Sequence, residues 1–358
     1  MSSPSLTVVR AGGLIAGRRN HTRSLLGLAA ALVVVIALAT SLGSVRVPLL
    51  TTLGILVDRL PFVDIAPTWP NAIATVVLEI RLPRVILAGL VGAALATAGA
   101  TYQGLFRNPL ADPYLIGVAQ GASLGAVVGF LVPASWYIFG FGLIPLLAFV
   151  GALLATFAVY MLARVGKTLP VTTLILAGVA LSALLGSMVS YLIITSGEVM
   201  HGIIFWLMGS FSLSRWSELE VVLPYIAVGT GVIMVYARLL NVIQLDEEQA
   251  QQLGVNVERL KLVLLAAATL ITAASVAFVG TIGFVGIIIP HAVRIIWGAD
   301  YRFLLPLSIL TGAIFMILAD LAARTLLSPT EIPIGVITAI CGAPFFLYLL
   351  RRRRKVIF

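Results

Sequence analysis

Charge is what this sequence has least of. Only 10% of its 358 residues are Asp, Glu, Lys or Arg, while 60% are hydrophobic. Most side chains therefore have no aqueous surface to occupy, and the chain reads as an integral membrane protein. A single cysteine, Cys341, excludes an intramolecular disulfide. The three histidines, His21, His201 and His291, fall in unrelated segments, and neither H-E-x-x-H nor C-x-x-C occurs, so no metal site and no catalytic residue is expected. Gly166-Lys-Thr168 has the ending of a phosphate loop, but Met161 stands where that motif requires glycine. No acid falls inside an expected span, although carriers driven by protons or sodium keep acids near mid-bilayer. That absence argues against the alternative of an ion-coupled secondary transporter, and an intramembrane enzyme fits less well still. No aromatic-interleaved basic surface is present either, so nucleic acid is not an expected partner. The net charge of +9 reflects topology and contact with anionic membrane lipid.

What charge there is marks where the chain leaves the bilayer, because a charge at its centre costs about 2.5–3.5 kcal/mol. Leu25 to Val45 is an uncharged run of 21 residues and Val85 to Phe106 one of 22, each close to the roughly 20 that cross a hydrocarbon core. Pro113 to Ala163 runs 51 residues without a charge and is divided near Pro133-Ala-Ser-Trp-Tyr137, giving spans three and four. Thr168 to Gly197 holds the fifth span. Val199 to Ser214, only 16 residues with two glycines and a histidine, is read as a half-helix that enters without crossing. Val221 to Ala237 is the sixth; Leu262 to Val293, broken at Gly280 to Gly286, holds the seventh and a short eighth. Phe303 to Ala319 and Ile332 to Leu350 complete ten.

The expected fold is thus an all-α membrane protein of ten spans plus one half-helix. Its expected parts are a tail at 1–24, a single ten-helix transmembrane domain at 25–350 with a loop at 238–261, and a basic tail at 351–358. Placing both termini in the cytoplasm puts 17 basic residues inside and 6 outside, the bias that topology requires. The basic N-terminus followed by Leu25 to Ala39 also has the form of a signal peptide, cleaved after Ala37-Leu-Ala39. Its removal would break the ten-span parity.

Two loops carry punctuation that a plain connector does not need. Asp246-Glu-Glu-Gln-Ala-Gln-Gln-Leu-Gly254 has acids in its first turn, helix formers after them and a terminal glycine, the signs of a short helix on the cytoplasmic side. Such a helix either transmits force from a soluble partner or is an ordinary surface helix. On the outer side Arg81 and Arg84 lie three apart around Pro83, so both guanidiniums are expected to point outward. Asp320 and Arg324 lie four apart at the outer end of the ninth span. Such forks suit an acidic protein surface, although arginines also snorkel at helix ends, and Asp320 can simply neutralise Arg324. Glycines recur at 89, 92 and 99 and at 121, 125 and 129, a pattern that lets helices approach closely.

Five ordered stretches then carry a resemblance: "RLPRVILAGLVGAALATAGATYQGLFRNPLADPYLIGVAQGASLGA", "LILAGVALSALLGS", "LDEEQAQQLGVNVERLK", "TIGFVGIIIPHAVR" and "EIPIGVITAICGAPFFLYLL". Together they resemble the FecCD family, the permeases of ATP-binding-cassette importers for iron chelates, haem and cobalamin, over about residues 75 to 355. The resemblance implies a cobalamin-permease-like fold acting as two copies of this chain. It also implies two separate ATPase subunits docked inside and a substrate-binding protein docked outside. ATP and Mg would be used by the partner ATPase, and this chain would bind no cofactor. It further implies an inner-membrane protein moving an iron chelate, siderophore or haem by alternating access, with cobalamin as the alternative cargo.

By the same resemblance Arg81, Arg84 and Arg324 form the docking patch for the binding protein. Asn108 and Leu110 belong to a cytoplasmic gate, with a second gate element at Thr172. There the chain departs from the family's serine-threonine run by carrying Pro170 and Val171. Asp246, Glu247, Glu248, Gln249, Ala250, Gln252, Leu253 and Gly254 match the coupling helix that sits on the ATPase. Spans five and ten are expected to offer cargo a smooth wall of small and apolar residues. His201 could face a haem iron or could simply be hydrogen-bonded.

Overall fold

The computed structural model describes residues 11–43, 45–59, 69–133, 136–138 and 141–357. Outside them lie residues 1–10 of the expected N-terminal tail, residues 134–135 of the expected turn between spans three and four, and Phe358 of the basic tail. In chain order the helices are α1 (Ala11–Ser41), α2 (Leu49–Asp58), α3 (Asn71–Thr75), a π-helical turn (Val76–Arg81), α4 (Leu82–Leu105), α5 (Val118–Leu131), α6 (Leu143–Ala163), α7 (Val171–Thr195) and α8 (Met200–Leu207). There follow α9 (Trp216–Val235), α10 (Ala237–Ile243), α11 (Glu247–Gln252), α12 (Val257–Val279), α13 (Val285–Trp297), α14 (Tyr301–Thr325) and α15 (Ile334–Ile357). Two-residue strands β1 (Tyr137–Ile138) and β2 (Phe141–Gly142) pair antiparallel between α5 and α6.

Seven of these are long and apolar enough to cross a membrane. They correspond to expected spans one, two, four, five, six, seven and nine. The third and eighth expected spans are α5 and α13, of 14 and 13 residues, which reach about 20 Å at 1.5 Å per residue against a hydrocarbon core of about 30 Å. The apolar part of the tenth, Ile334–Leu347, is likewise one of the shorter helices, as is the half-helix Gly197–Leu207. The fold is that of an all-α membrane protein, but helix length alone marks seven crossings rather than ten.

The second span differs most from its uncharged run. Instead of starting near Val85, the helix is continuous from Asn71 to Leu105, 35 residues, and passes through Pro83. Proline lacks an N–H and its ring clashes with the carbonyl four residues back; the π-turn at Val76–Arg81 sits just where that ladder must be relieved. Preceding it, α2 buries Thr52 and Ile55, and Ile55 joins Val47, Val77 and Leu78 in a small separate core. The uncharged runs mark no element between Val45 and Val85. At the other end, α1 is helical from Ala11, inside the stretch expected as a tail.

The π-turn and α4 form the axis of the domain. Of α4's 24 residues 20 are buried, and it packs on α14, α12, α13 and α9. The most apolar stretch of α7 is only 11% buried, against 83% for the helix containing α4, so α7 turns most of its surface outward. Close approach at the axis depends on glycine. A Cβ on Gly99 would lie 1.8 Å from the Gly286 carbonyl oxygen, and one on Gly92 would lie 2.2 Å from that of Gly312, so backbone meets backbone at both crossings. The glycine stripe on α5 does the same against α6, where a Cβ on Gly125 would lie 2.0 Å from the Leu147 carbonyl oxygen. Gly99→Ala should lower stability by about 1–3 kcal/mol through overpacking. Gly231→Ala, where a Cβ meets nothing within 4 Å, should leave stability unchanged or raise it slightly. Thermal unfolding of the two purified variants in one detergent separates these outcomes.

Candidate functional site

At the N-terminal end of α4 the first turn gathers an ionic cluster. Arg81 donates to the carbonyl oxygens of Thr40 (3.2 Å), Ser41 (2.8 Å) and Val45. Arg324 donates to those of Leu42 (2.9 Å) and Ala39. The last carbonyls of a helix have no partner within it, and these two arginines satisfy the end of α1. Arg84 forks the other way, onto Asp320 of α14 through Nη2 (2.8 Å) and Nε (3.0 Å) and onto Glu331 through Nη1 (2.8 Å). Glu331 also accepts from Ser212 Oγ at 2.7 Å, which ties the loop after α8 to the same cluster. Asp320 lies 3.4 Å from Arg324 Nε as well, so it serves both arginines.

Arg81, Arg84 and Arg324 are thus brought together, but at 5%, 9% and 7% exposure they face inward rather than outward. Two pulls explain the difference: the orphan carbonyls of α1, and the cost of leaving buried Asp320 without a counter-ion. Of the arginines expected outside, the exposed ones are Arg46, Arg59 and Arg215. Burial alone would raise the Glu331 carboxyl. Hydrogen bonds from Arg84 and Ser212 and the charges of Arg84 and Arg324 more than offset this and hold it below the usual range.

At its C-terminal end, α4 runs into the N-P-L-A-D-P turn. Arg107 adopts a left-handed conformation with φ +47, which reverses the chain. The Asn108 carboxamide oxygen then accepts from Leu110 N–H (3.0 Å), and Asp112 accepts from Tyr114 N–H (2.7 Å), side-chain turns of the kind these residues favour. The Tyr114 hydroxyl donates to the Ile282 carbonyl oxygen at 3.0 Å and so pins the turn to the α12–α13 loop. Asn108 and Leu110 are exposed, as is Thr172 in the first turn of α7.

Helix α11 lies in the loop after α10. Asp246 caps it, accepting from Glu247 N–H at 2.7 Å, and forms an ion pair with Arg107 at 2.9 Å. These two contacts, the backbone one foremost, hold the Asp246 carboxyl below the usual range. Ala250 is buried beneath the helix, Gly254 ends it at φ +83, and Glu248, Gln249, Gln252 and Leu253 face solvent.

Between the two ends, a cavity of about 850 Å³ lies against α5, α7 and the α12–α13 loop, lined by Gln120, Ser123, Ser182 and Ser190 among others. A second, of about 780 Å³, is bounded by α15 and the starts of α13 and α8's exit, with Met208, Phe284 and Ala343 in its wall. The wall beside α7 is therefore richer in hydroxyl and amide groups than the smooth apolar surface expected, and Asp112 is its one ionisable acid. Asn108, Leu110 and Thr172 lie outside both linings. Among the described residues no group of three His, Cys, Asp or Glu is placed to hold a metal, and His201 is exposed at the start of α8.

A model of the FecCD transport family matches residues 31–352. The chain belongs to the FecCD transport family. It is 49% identical over 284 residues to the cobalamin import system permease protein BtuC of Halobacterium salinarum, covering 79% of this chain and 75% of that protein. To the hemin transport system permease protein HmuU of Yersinia pestis it is 42% identical over 291 residues, covering 78% and 84%. A solved structure of an inward-facing metal-chelate type ABC transporter aligns with a TM-score of 0.77 at 34% identity, over 92% of this chain and 99% of that one.

For this FecCD chain, sequence reasoning missed the residues that tie the site together over long separations: Glu331 on Arg84, Arg107 on Asp246, and Tyr114 on Ile282. The pairing of Arg107 with an acidic loop on the same face was the one legible hint. Removing one partner of a buried ion pair strands the other. Asp320→Ala should therefore cost about 3–5 kcal/mol, whereas Arg302→Ala, which breaks an exposed pair with Asp300, should cost less than about 1 kcal/mol. Denaturation in matched micelles checks both values.

Proposed function

We propose that this chain is the membrane-spanning subunit of an ATP-binding-cassette importer that carries an iron chelate, siderophore or haem, into the cytoplasm. Two copies enclose the pathway between their α7 and α15 faces, which this copy leaves largely outward. Two separate ATPases bind inside, use ATP and Mg, and move α11; the chain itself binds no cofactor and performs no chemistry on its cargo. It sits in the cytoplasmic membrane as one domain over 25–350, with the tails at 1–24 and 351–358 in the cytoplasm.

The observation that carries this reading, beyond membership of the FecCD family, is α11. A short helix capped by Asp246, ended by Gly254 and buried only at Ala250 turns Glu248, Gln249, Gln252 and Leu253 to solvent. An apolar permease has no internal use for such a projecting handle, and a soluble motor does. The gate that this handle works is assigned to Asn108 and Leu110 after α4 and to Thr172 at the head of α7.

A binding protein docks outside on the rim held by Arg81, Arg84 and Arg324. Because these guanidiniums already have carbonyl and carboxylate partners, an arriving acidic surface has to share them with Glu331 or displace it. A second cargo reading, cobalamin, is favoured by the 49% identity to the Halobacterium salinarum permease. It is also favoured by a cavity wall of amides and hydroxyls with no basic side chain to balance an anion.

Replacing Asp246 to Gly254 with a glycine-serine linker should abolish ATP-dependent uptake of haem, ferric siderophore and cyanocobalamin alike in membrane vesicles. The chromatographic profile of the purified variant should stay that of the parent. Uptake at the parental rate would remove the handle from the mechanism.

A further inference from the structure

The start of α11 is tied to both gate segments, by two links of different strength. Asp246 reaches Arg107, the residue before Asn108, at 2.9 Å, with both side chains about half exposed. Exposed pairs of this kind contribute about 0–1 kcal/mol and break readily. The next residue, Glu247, contacts Lys261 Nζ at 2.7 Å. Lys261, on the first turns of α12, is only 4% exposed.

Lys261 has two further partners. Its ammonium donates to Glu258 Oε1 at 3.2 Å and to the Leu169 carbonyl oxygen at 3.3 Å. Glu258 in turn accepts from Leu169 N–H at 2.8 Å. The Glu258–Lys261 pair thus holds both backbone groups of Leu169, whose side chain is itself buried. Pro170 follows and caps α7, with its carbonyl receiving the first helical hydrogen bond from Leu174 at 3.0 Å. Proline fixes its own φ, so a shift at Leu169 is passed to Val171 and Thr172 with little slack.

A surface loop needs no buried ammonium shared between a projecting helix and a distant backbone turn. Burying one costs several kcal/mol unless every donor is met, and here all three partners lie on the line from α11 to α7. We propose that Lys261 is a positioning residue that transmits displacement of α11 through Leu169 to the gate at the head of α7, with Arg107–Asp246 as the breakable link to the other gate. This rests on the reading of α11 as the element an ATPase moves.

The test uses the permease purified with its ATPase subunits, carrying Cys341→Ser and Thr172→Cys, and follows modification of residue 172 by a membrane-impermeant maleimide. In this parent, MgATP with vanadate should change the labelling rate by about fivefold or more, the lower range of typical coupling between sites. Glu247→Gln, which keeps side-chain shape and leaves the hold on Leu169 intact, should bring that ATP-dependent change close to unity in complexes that retain the parent's ratio of ATPase to permease. Lys261→Met should do the same. If it fails to fold, the Glu247→Gln result stands alone. A merely structural role would alter basal labelling but leave the ATP-dependent ratio as in the parent, and an unchanged ratio in Glu247→Gln overturns the proposal. Loss of any ATP response in the parent itself, with hydrolysis intact, overturns the reading of α11 and this inference with it.

Discussion

An unpaired charge inside hydrocarbon costs several kcal/mol, and the architecture of this chain follows from meeting that constraint. Ionic groups gather in two layers. The first joins Arg81, Arg84, Asp320, Arg324 and Glu331, and the second joins Arg107, Asp246, Glu247, Glu258 and Lys261. Between them the helices are held by backbone approaching backbone at glycine, and the cavity beside α7 is lined by hydroxyls, amides and apolar groups with Asp112 as its one acid.

The two layers differ in what they leave available. In the first, the arginines close on α1's carbonyls and on two carboxylates, and the layer works as a clasp over α1, α4 and α14. In the second, the carboxylates of Asp246 and Glu247 hold Arg107 and Lys261 while the remaining face of α11 is given to water. The first layer is thus sealed and the second carries a handle, an asymmetry suited to a permease worked from the side of α11. The near-complete burial of α4 contrasts with the outward face of α7, giving a buried axis and an exposed wall.

Much of this was legible beforehand, for identifiable reasons. Charge-free runs located the seven long crossing helices because nothing but lipid or packed protein tolerates them. Cap residues located α11, since Asp246 and Gly254 impose local geometry whatever surrounds them. The same logic failed where charge is buried and paired. Arg81 and Arg84 ended the uncharged run but not the helix, which continues back to Asn71 through a π-turn that Pro83 demands. It failed again for direction. Spacing of three put two guanidiniums on one side of a helix, but whether they meet solvent, Asp320 or the end of α1 depends on contacts more than 200 residues apart for Arg84 and Asp320. The short α2 was hidden because its buried face is only a few residues wide.

The central claim is that transport is powered from outside the chain. The most direct measurement is solute accumulation in sealed liposomes holding the purified permease alone, with proton and sodium gradients imposed in turn, beside liposomes that also hold its ATPase and binding protein. The account predicts no uphill uptake of haem, ferric siderophore or cyanocobalamin by the chain alone under either gradient, and uptake by the full assembly only with MgATP. Accumulation against a gradient by the chain alone would contradict it.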